Sequence, residues 1–244
     1  MNTNSNTYTI VYSAIIVILV AAILAFASMA LKPKQDANIK AETISQMLTA
    51  AQFYTKEECD EMGNDKVLEA YSKNIKRAFV INAQGDSTRA LGTEAKNIEL
   101  QDGLKAQDLA IKNGKNMELP VYVFEKDGKE ITVIPCYGNG LWGPIWGYLA
   151  FNEDLKTFLG AYFDHDSETP GLGAKIKDDP DFRAKFIGKI ADFSQVPVFD
   201  IVKTGTKKNQ PNAIDGISGA TITTNGLRDA VNTWLIAYKP YFEK

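Results

Sequence analysis

Histidine and cysteine are nearly absent from this sequence. One histidine, His165, and two cysteines, Cys59 and Cys136, stand among 244 residues. Zinc sites cluster Cys and His at short spacing, so a centre of that kind is excluded. Two cysteines are too few for a disulfide framework, and their positions leave open whether they pair. Basic residues are also short: 27 Lys and Arg face 30 Asp and Glu, and no basic stripe forms. Nucleic-acid binding, which depends on neutralising phosphates, is set aside. What is present is 45% hydrophobic and 23% charged, the balance of an ordinary folded protein.

The charges are unevenly spread. No Asp, Glu, Lys or Arg occurs from Ile10 to Leu31, a run rich in Ile, Val, Leu and Ala. At the α-helical rise that run measures about 33 Å, enough to cross a hydrocarbon core of ~30 Å. Inside such a core every backbone amide must pair within the segment, which makes it helical. A cleavable signal peptide is the rival, since Ala25-Phe26-Ala27 offers an A-x-A site. Against it, the apolar stretch exceeds a normal h-region and no basic n-region precedes it. Residues 1–34 are therefore expected to be a tail and a single-pass, uncleaved anchor, with Pro33 bending or stopping the helix. Lys32, Lys34 and Lys40 follow the anchor and no Lys or Arg precedes it. A long domain is translocated largely regardless of such flanks, so charge leaves the side open.

Beyond the anchor the pattern predicts one mixed α+β domain with an antiparallel sheet. Residues 35–119 form its helical and variable part, and 120–244 its core. Ala37, Ala41, Ile44, Leu48 and Ala51 mark one face of a helix over 35–54. Thr55–Asn64 is acidic with a Gly-Asn breaker. A short helix near 66–75 and a strand at 78–82 follow, then a Gln-, Lys- and Asn-rich stretch, 84–117, with some helix. Asp127-Gly128 between β-branched runs 121–125 and 130–135 signals a hairpin. Gly138–Gly147 is glycine-rich and reads as a loop, with strands at 148–152 and 157–164. His165–Gly173 reads as a turn or loop. Asp179-Pro180 should open a helix burying Phe182 and Phe186. A last strand at 198–203 precedes a helix whose packed face is Leu227, Ala230, Val231, Trp234, Leu235 and Tyr238.

Just before that helix stands Asp215-Gly216-Ile217-Ser218-Gly219-Ala220-Thr221-Ile222-Thr223-Thr224. Hydroxyls and small residues entering a helix N-terminus can form an anion site, because exposed amides and the helix dipole meet there. The same residues also suit an ordinary turn with Thr223 or Thr224 as the helix cap. The segment D-G-I-S-G-A-T resembles the flavinylation motif, D-x-x-[ST]-G-A-T, of the FMN-binding domain family. In that family the last threonine is joined to the phosphate of FMN by a flavin transferase that uses FAD as donor. The resemblance makes Thr221 the attachment point, beside Asp215, Ser218, Gly219 and Ala220.

Two further stretches extend the resemblance over 120–244. Glu168-Thr169-Pro170-Gly171-Leu172-Gly173 looks like the family's E-T-P-G-L-G loop, with His165 just upstream. Gly140-Leu141-Trp142-Gly143 looks like its G-L-W-G segment. On residue type alone Trp142 would be a core aromatic and Glu168 a solvated turn residue. With the family, Trp142, Glu168, Thr169, Gly171 and Leu172 are expected to frame the flavin ring. No Rossmann fingerprint is present, so the domain is not expected to act on NADH alone; electrons come from partner subunits. Two kinds of membrane complex carry a flavinylated component of this family, sodium-translocating NADH:quinone reductases and Rnf ferredoxin:NAD oxidoreductases. Length before the G-L-W-G segment and the T-N-G-L that continues the motif favour the former. The family also implies an extracytoplasmic domain on the inner membrane. A non-redox anchored binding module is the alternative from another class.

Overall fold

The computed structural model describes residues 6–205 and 210–244; residues 1–5 of the expected tail and 206–209 lie outside the described residues. Two compact units divide at Ile39/Lys40. Helix α1 runs Asn6–Ala50 with Pro33 inside it, so the expected stop at Pro33 does not occur. Proline removes one N–H and costs ~3 kcal/mol in a helix interior, yet α1 continues through it. The apolar run of α1 is long enough to cross a membrane, and none of it is buried in the structure.

The second unit begins with the inner end of α1. Ala41, Ile44, Leu48 and the following Ala51 are buried as the spacing requires, whereas Ala37 stays exposed. The acidic stretch holds a helix, α2 (Lys56–Met62), because Thr55 and Glu58 form a reciprocal capping box. Helix α3 (Asn64–Asn74) leads directly into β1 (Ile75–Ile81). The stretch expected to be weakly structured contains β2 (Ser87–Ala90) and α4 (Gln101–Asn113). The predicted hairpin joins β3 (Leu119–Lys126) to β4 (Lys129–Asn139), with Asp127 and Gly128 both at positive φ, +53° and +76°.

Strands β5 (Pro144–Phe151) and β6 (Phe158–His165) complete a six-stranded antiparallel sheet of order β2-β1-β3-β4-β5-β6. The β4–β5 ladder runs from Thr132↔Phe151 to Asn139↔Pro144, so most of the expected 138–147 loop is strand. Its glycines serve close packing rather than looseness. A Cβ on Gly147 would meet the Phe163 ring and the Tyr162 carbonyl at 2.4 Å, and one on Gly138 would meet Ala230 Cβ at 2.7 Å. Helices α5 (Lys175–Asp178) and α6 (Pro180–Ala184) follow, the latter capped by the Asp179 carboxylate as expected. Phe182 and Phe186 are buried. A parallel pair, β7 (Asp200–Val202) and β8 (Ala213–Asp215), precedes α7 (Thr221–Phe242).

Both faces of the sheet are covered. Ile44, Met47, Leu48 and Tyr71 pack on Tyr122, Phe124, Tyr148 and Tyr162; Leu227, Trp234 and Tyr238 pack on Val121, Val123, Ile134 and Leu149. Successive residues of β3 therefore serve opposite cores, which explains its unbroken apolar run. Helix α7 is pinned along its length. Trp234 Nε1 donates to the Tyr137 carbonyl at 3.0 Å, and the Tyr238 hydroxyl to the Pro120 carbonyl at 2.6 Å.

Candidate functional site

Helix α7 begins at Thr221, and its N-cap, Ala220, makes no side-chain capping bond. The expectation that Thr223 or Thr224 caps the helix is overturned. Thr224 Oγ1 accepts the Ile217 N–H at 3.3 Å, and the Thr223 hydroxyl donates to Glu168 Oε2 at 2.6 Å. Both hydroxyls are buried with their residues, at 5% and 2% exposure, whereas Thr221 is exposed. Extending the packed face backwards explains this division, since Thr223 and Thr224 stand four and three residues before Leu227. Thr221, Asn225 and Arg228 take the other face. Of the segment's three threonines, one is thus presented to solvent and two are spent on structure.

A turn delivers the chain to that helix end. Asp215 ends β8, Gly216 N–H donates to the Val202 carbonyl at 2.8 Å, and Ser218 and Gly219 are exposed. Gly219 has φ +80°, a conformation L side chains rarely adopt. Ala220 is buried at 7% exposure, so its methyl faces inward while the next residue points out. Beside Thr221 opens a cleft of about 360 Å³, lined by Lys203, Thr204, Ser218, Asn225 and Arg228. The lining also includes Asp200, and Arg228 pairs with Asp229 at 3.0 Å, so what the helix end offers an anion is chiefly its free backbone amides, with Lys203 and Arg228 nearby.

The two loops expected to frame a ring lie against this end. Gly140 N–H donates to the Gly143 carbonyl at 2.8 Å, closing the tip of the β4–β5 hairpin around Leu141 and Trp142. Leu172 abuts the motif, since a Cβ on Gly219 would sit 3.1 Å from its Cδ2. Leu141, Trp142, Leu172 and Ile222 are exposed at 47, 65, 43 and 59%, so large apolar side chains stand unburied around the site. Such a cluster marks a binding surface. Thr169 and Gly171 are exposed within the loop; the Thr169 carbonyl accepts from Leu172 and Ala174 N–H, and Gly171 takes φ +74°.

Residue type alone assigned Trp142 and Glu168 the wrong way round. Trp142 is exposed and Glu168 is buried, at 5% exposure. Glu168 Oε1 accepts the Trp142 N–H at 2.9 Å, so the carboxylate joins the hairpin tip to α7. His165 Nδ1 accepts the Glu168 N–H at 3.2 Å, which leaves the proton of a neutral ring on Nε2. Gly138, Gly140 and Gly143 also carry the G-x-G-x-x-G spacing, but in an antiparallel hairpin rather than a strand-to-helix turn, so they form no dinucleotide fingerprint. Cys59 and Cys136 are both free, buried thiols in separate cores. Burial raises both thiol pKa values and makes them poor nucleophiles.

Comparison with known proteins agrees with this geometry. The FMN-binding domain family matches residues 140–236. The C subunit of the Na(+)-translocating NADH-quinone reductase of Pseudomonas aeruginosa is 30% identical over 248 residues, covering 96% of this chain and 93% of that protein. Its Yersinia pestis counterpart is 37% identical over a match covering 65% of this chain and 60% of that protein. The crystal structure of the same reductase component from Parabacteroides distasonis superposes with a TM-score of 0.73 at 29% identity, covering 88% of this chain and 98% of that one. Shewanella oneidensis NqrC gives 0.66 at 25% identity, covering 85% and 97%. The Rnf counterpart and a non-redox module are not favoured by these likenesses. The Pseudomonas likeness spans nearly the whole of both chains and the solved structures share the fold, and this chain belongs to the NqrC family of Na(+)-translocating NADH-quinone reductase components.

Proposed function

We propose that this chain is the electron-transferring NqrC component of a sodium-pumping NADH:quinone reductase, with FMN held as a phosphoester on Thr221. The observation that carries the reading is exposed Thr221 at the first position of a 22-residue helix whose N-cap, Ala220, makes no side-chain capping bond. During maturation a flavin transferase presents FAD; the threonine oxygen bonds to the FMN phosphorus and AMP leaves. A threonine hydroxyl is a weak nucleophile, so the transferase must supply a base or a metal-polarised phosphate. In the mature chain the α7 amides, Lys203 and Arg228 would offset the phosphate charge, and Leu141, Trp142, Leu172 and Ile222 would give the ring an apolar seat. Bound FMN supplies the electron transfer, which the protein positions and tunes. Electrons enter and leave through the other membrane subunits.

The test is an intact mass of the chain made with its own flavin transferase. Wild type should gain one FMN less one water and fluoresce in a denaturing gel. Thr221→Val keeps the shape and removes the oxygen, so both signals should vanish while the fold survives. Fluorescence persisting in that variant would overturn the assignment.

The family resemblance also supports an extracytoplasmic domain on the inner membrane. Lys66 is exposed on α3, and both native thiols are buried. Lys66→Cys should therefore react with a membrane-impermeant maleimide while the cytoplasmic membrane is intact. Labelling only after that membrane is permeabilised would place the domain inside.

A further inference from the structure

Glu168 is located from every side. One oxygen receives the Trp142 N–H at 2.9 Å and the other the Thr223 hydroxyl at 2.6 Å. Gly140 and Gly173 press on the carboxylate: a Cβ on either would lie 2.3 Å from an oxygen, and one on Gly173 would also lie 2.7 Å from Thr223 Oγ1. Burying a carboxylate is costly unless its oxygens are satisfied, so this one is tied to its donors. The tie joins the hairpin tip bearing Trp142, the loop bearing Leu172, and the first turn of α7.

We propose that Thr223 is a positioning residue. Through its buried hydrogen bond to Glu168 it fixes the helix turn bearing Thr221 against the rim bearing Trp142, and so sets how closely the flavin ring packs. The proposal rests on FMN attachment at Thr221. Two other roles for Thr223 conflict with the geometry. It does not cap the helix, whose N-cap is Ala220. It does not offer a second attachment point, because its residue is 2% exposed and its hydroxyl proton is committed to Glu168.

The test uses the full chain, flavinylated by its own transferase, as wild type, Thr223→Val, Thr223→Ser and Glu168→Gln. Intact mass reads attachment; iodide quenching of flavin fluorescence and the midpoint potential read the ring's surroundings. All variants should carry FMN. Thr223→Val should raise the quenching slope about twofold or more and shift the potential, since the ring loses its fixed seat. Thr223→Ser keeps the hydroxyl and should restore wild-type values. Glu168→Gln retains one acceptor oxygen where the carboxylate had two, and should fall between them. If Thr223→Val is not recovered folded, Glu168→Gln carries the comparison. Flavinylated Thr223→Val or Glu168→Gln with wild-type quenching and potential would overturn the positioning role alone. A wild-type chain lacking the FMN mass would overturn the attachment reading, and this inference with it.

Discussion

Trp142 is a large apolar side chain left 65% exposed at a hairpin tip whose backbone is held by Glu168 and by Ser167, whose hydroxyl donates to the Trp142 carbonyl at 3.2 Å. The backbone is fixed and the indole is free, which suits a side chain that packs on a ligand rather than on the core. Its replacement should therefore separate stability from function. Trp142→Leu should change folding free energy by less than about 0.5 kcal/mol, the range of ordinary surface substitutions. It should nevertheless shift the flavin potential, because an aromatic contact with the ring is worth on the order of 1 kcal/mol. Thermal melting and spectroelectrochemistry on one flavinylated preparation decide this; a lowered Tm with an unchanged potential would make Trp142 a structural residue. At this scale residue type misled. Burial of Glu168 and exposure of Trp142 follow from the meeting of segments far apart in sequence, which composition does not encode. The division between Thr221 and Thr223 was misread as a choice of helix cap, although helical periodicity carried back from Leu227 separates them.

Among the elements, α7 does most to place the site, and it does so by lying unusually close to β4. A Cβ on Gly226 would stand 2.1 Å from the Asn139 carbonyl oxygen, a backbone atom that cannot rotate away. Glycine in a helix interior is otherwise a liability, and Gly→Ala normally gains about 1 kcal/mol of helix propensity. Here the clash should win. Gly226→Ala forces α7 off the strand, and overpacking of this kind costs roughly 1–3 kcal/mol. The expected result is a Tm lower by several degrees, at about 2–4 °C per kcal/mol for a domain of this size. A Tm equal to or above wild type would show that the helix accommodates the methyl. Strong local signals made several elements readable in advance: the Asp127-Gly128 turn, the Asp179 cap and the packed face of α7. The β4–β5 hairpin was misread as a loop because Gly138, Gly140, Gly143 and Gly147 look like breakers. Two of them, Gly138 and Gly147, are in the ladder, where Ala230 and Phe163 occupy the space a side chain would fill.

At the scale of the whole molecule, α1 belongs to both compact units. Its residues through Ile39 are almost wholly exposed, while Ile44, Met47 and Leu48 are fully buried in the second unit. Gln46 is buried there too and donates to Asp164 Oδ2 at 2.8 Å; Asp164 Oδ1 also pairs with Lys177 at 2.8 Å and accepts the His165 N–H. The anchor was legible as a charge-free run, but its continuation as one helix past Pro33 was not, because proline is locally a stop signal. The boundary between anchor and domain therefore falls inside a helix, and where the chain is cut should decide whether the domain folds. A chain beginning at Lys40 keeps every buried residue of α1 and should be monomeric without detergent, melting cooperatively and accepting FMN. A chain beginning at Gln52 loses Ile44, Met47 and Leu48, each worth about 1.5–3 kcal/mol when fully buried. It also takes one hydrogen-bond donor from the buried Asp164 carboxylate, at roughly 1–3 kcal/mol. The sum is comparable to the ~5–15 kcal/mol that holds a typical domain together, so this chain should not fold. Circular dichroism melts of the two truncations check the argument. A cooperative transition near the longer chain's Tm in the shorter one would show that the inner end of α1 only decorates the sheet it covers.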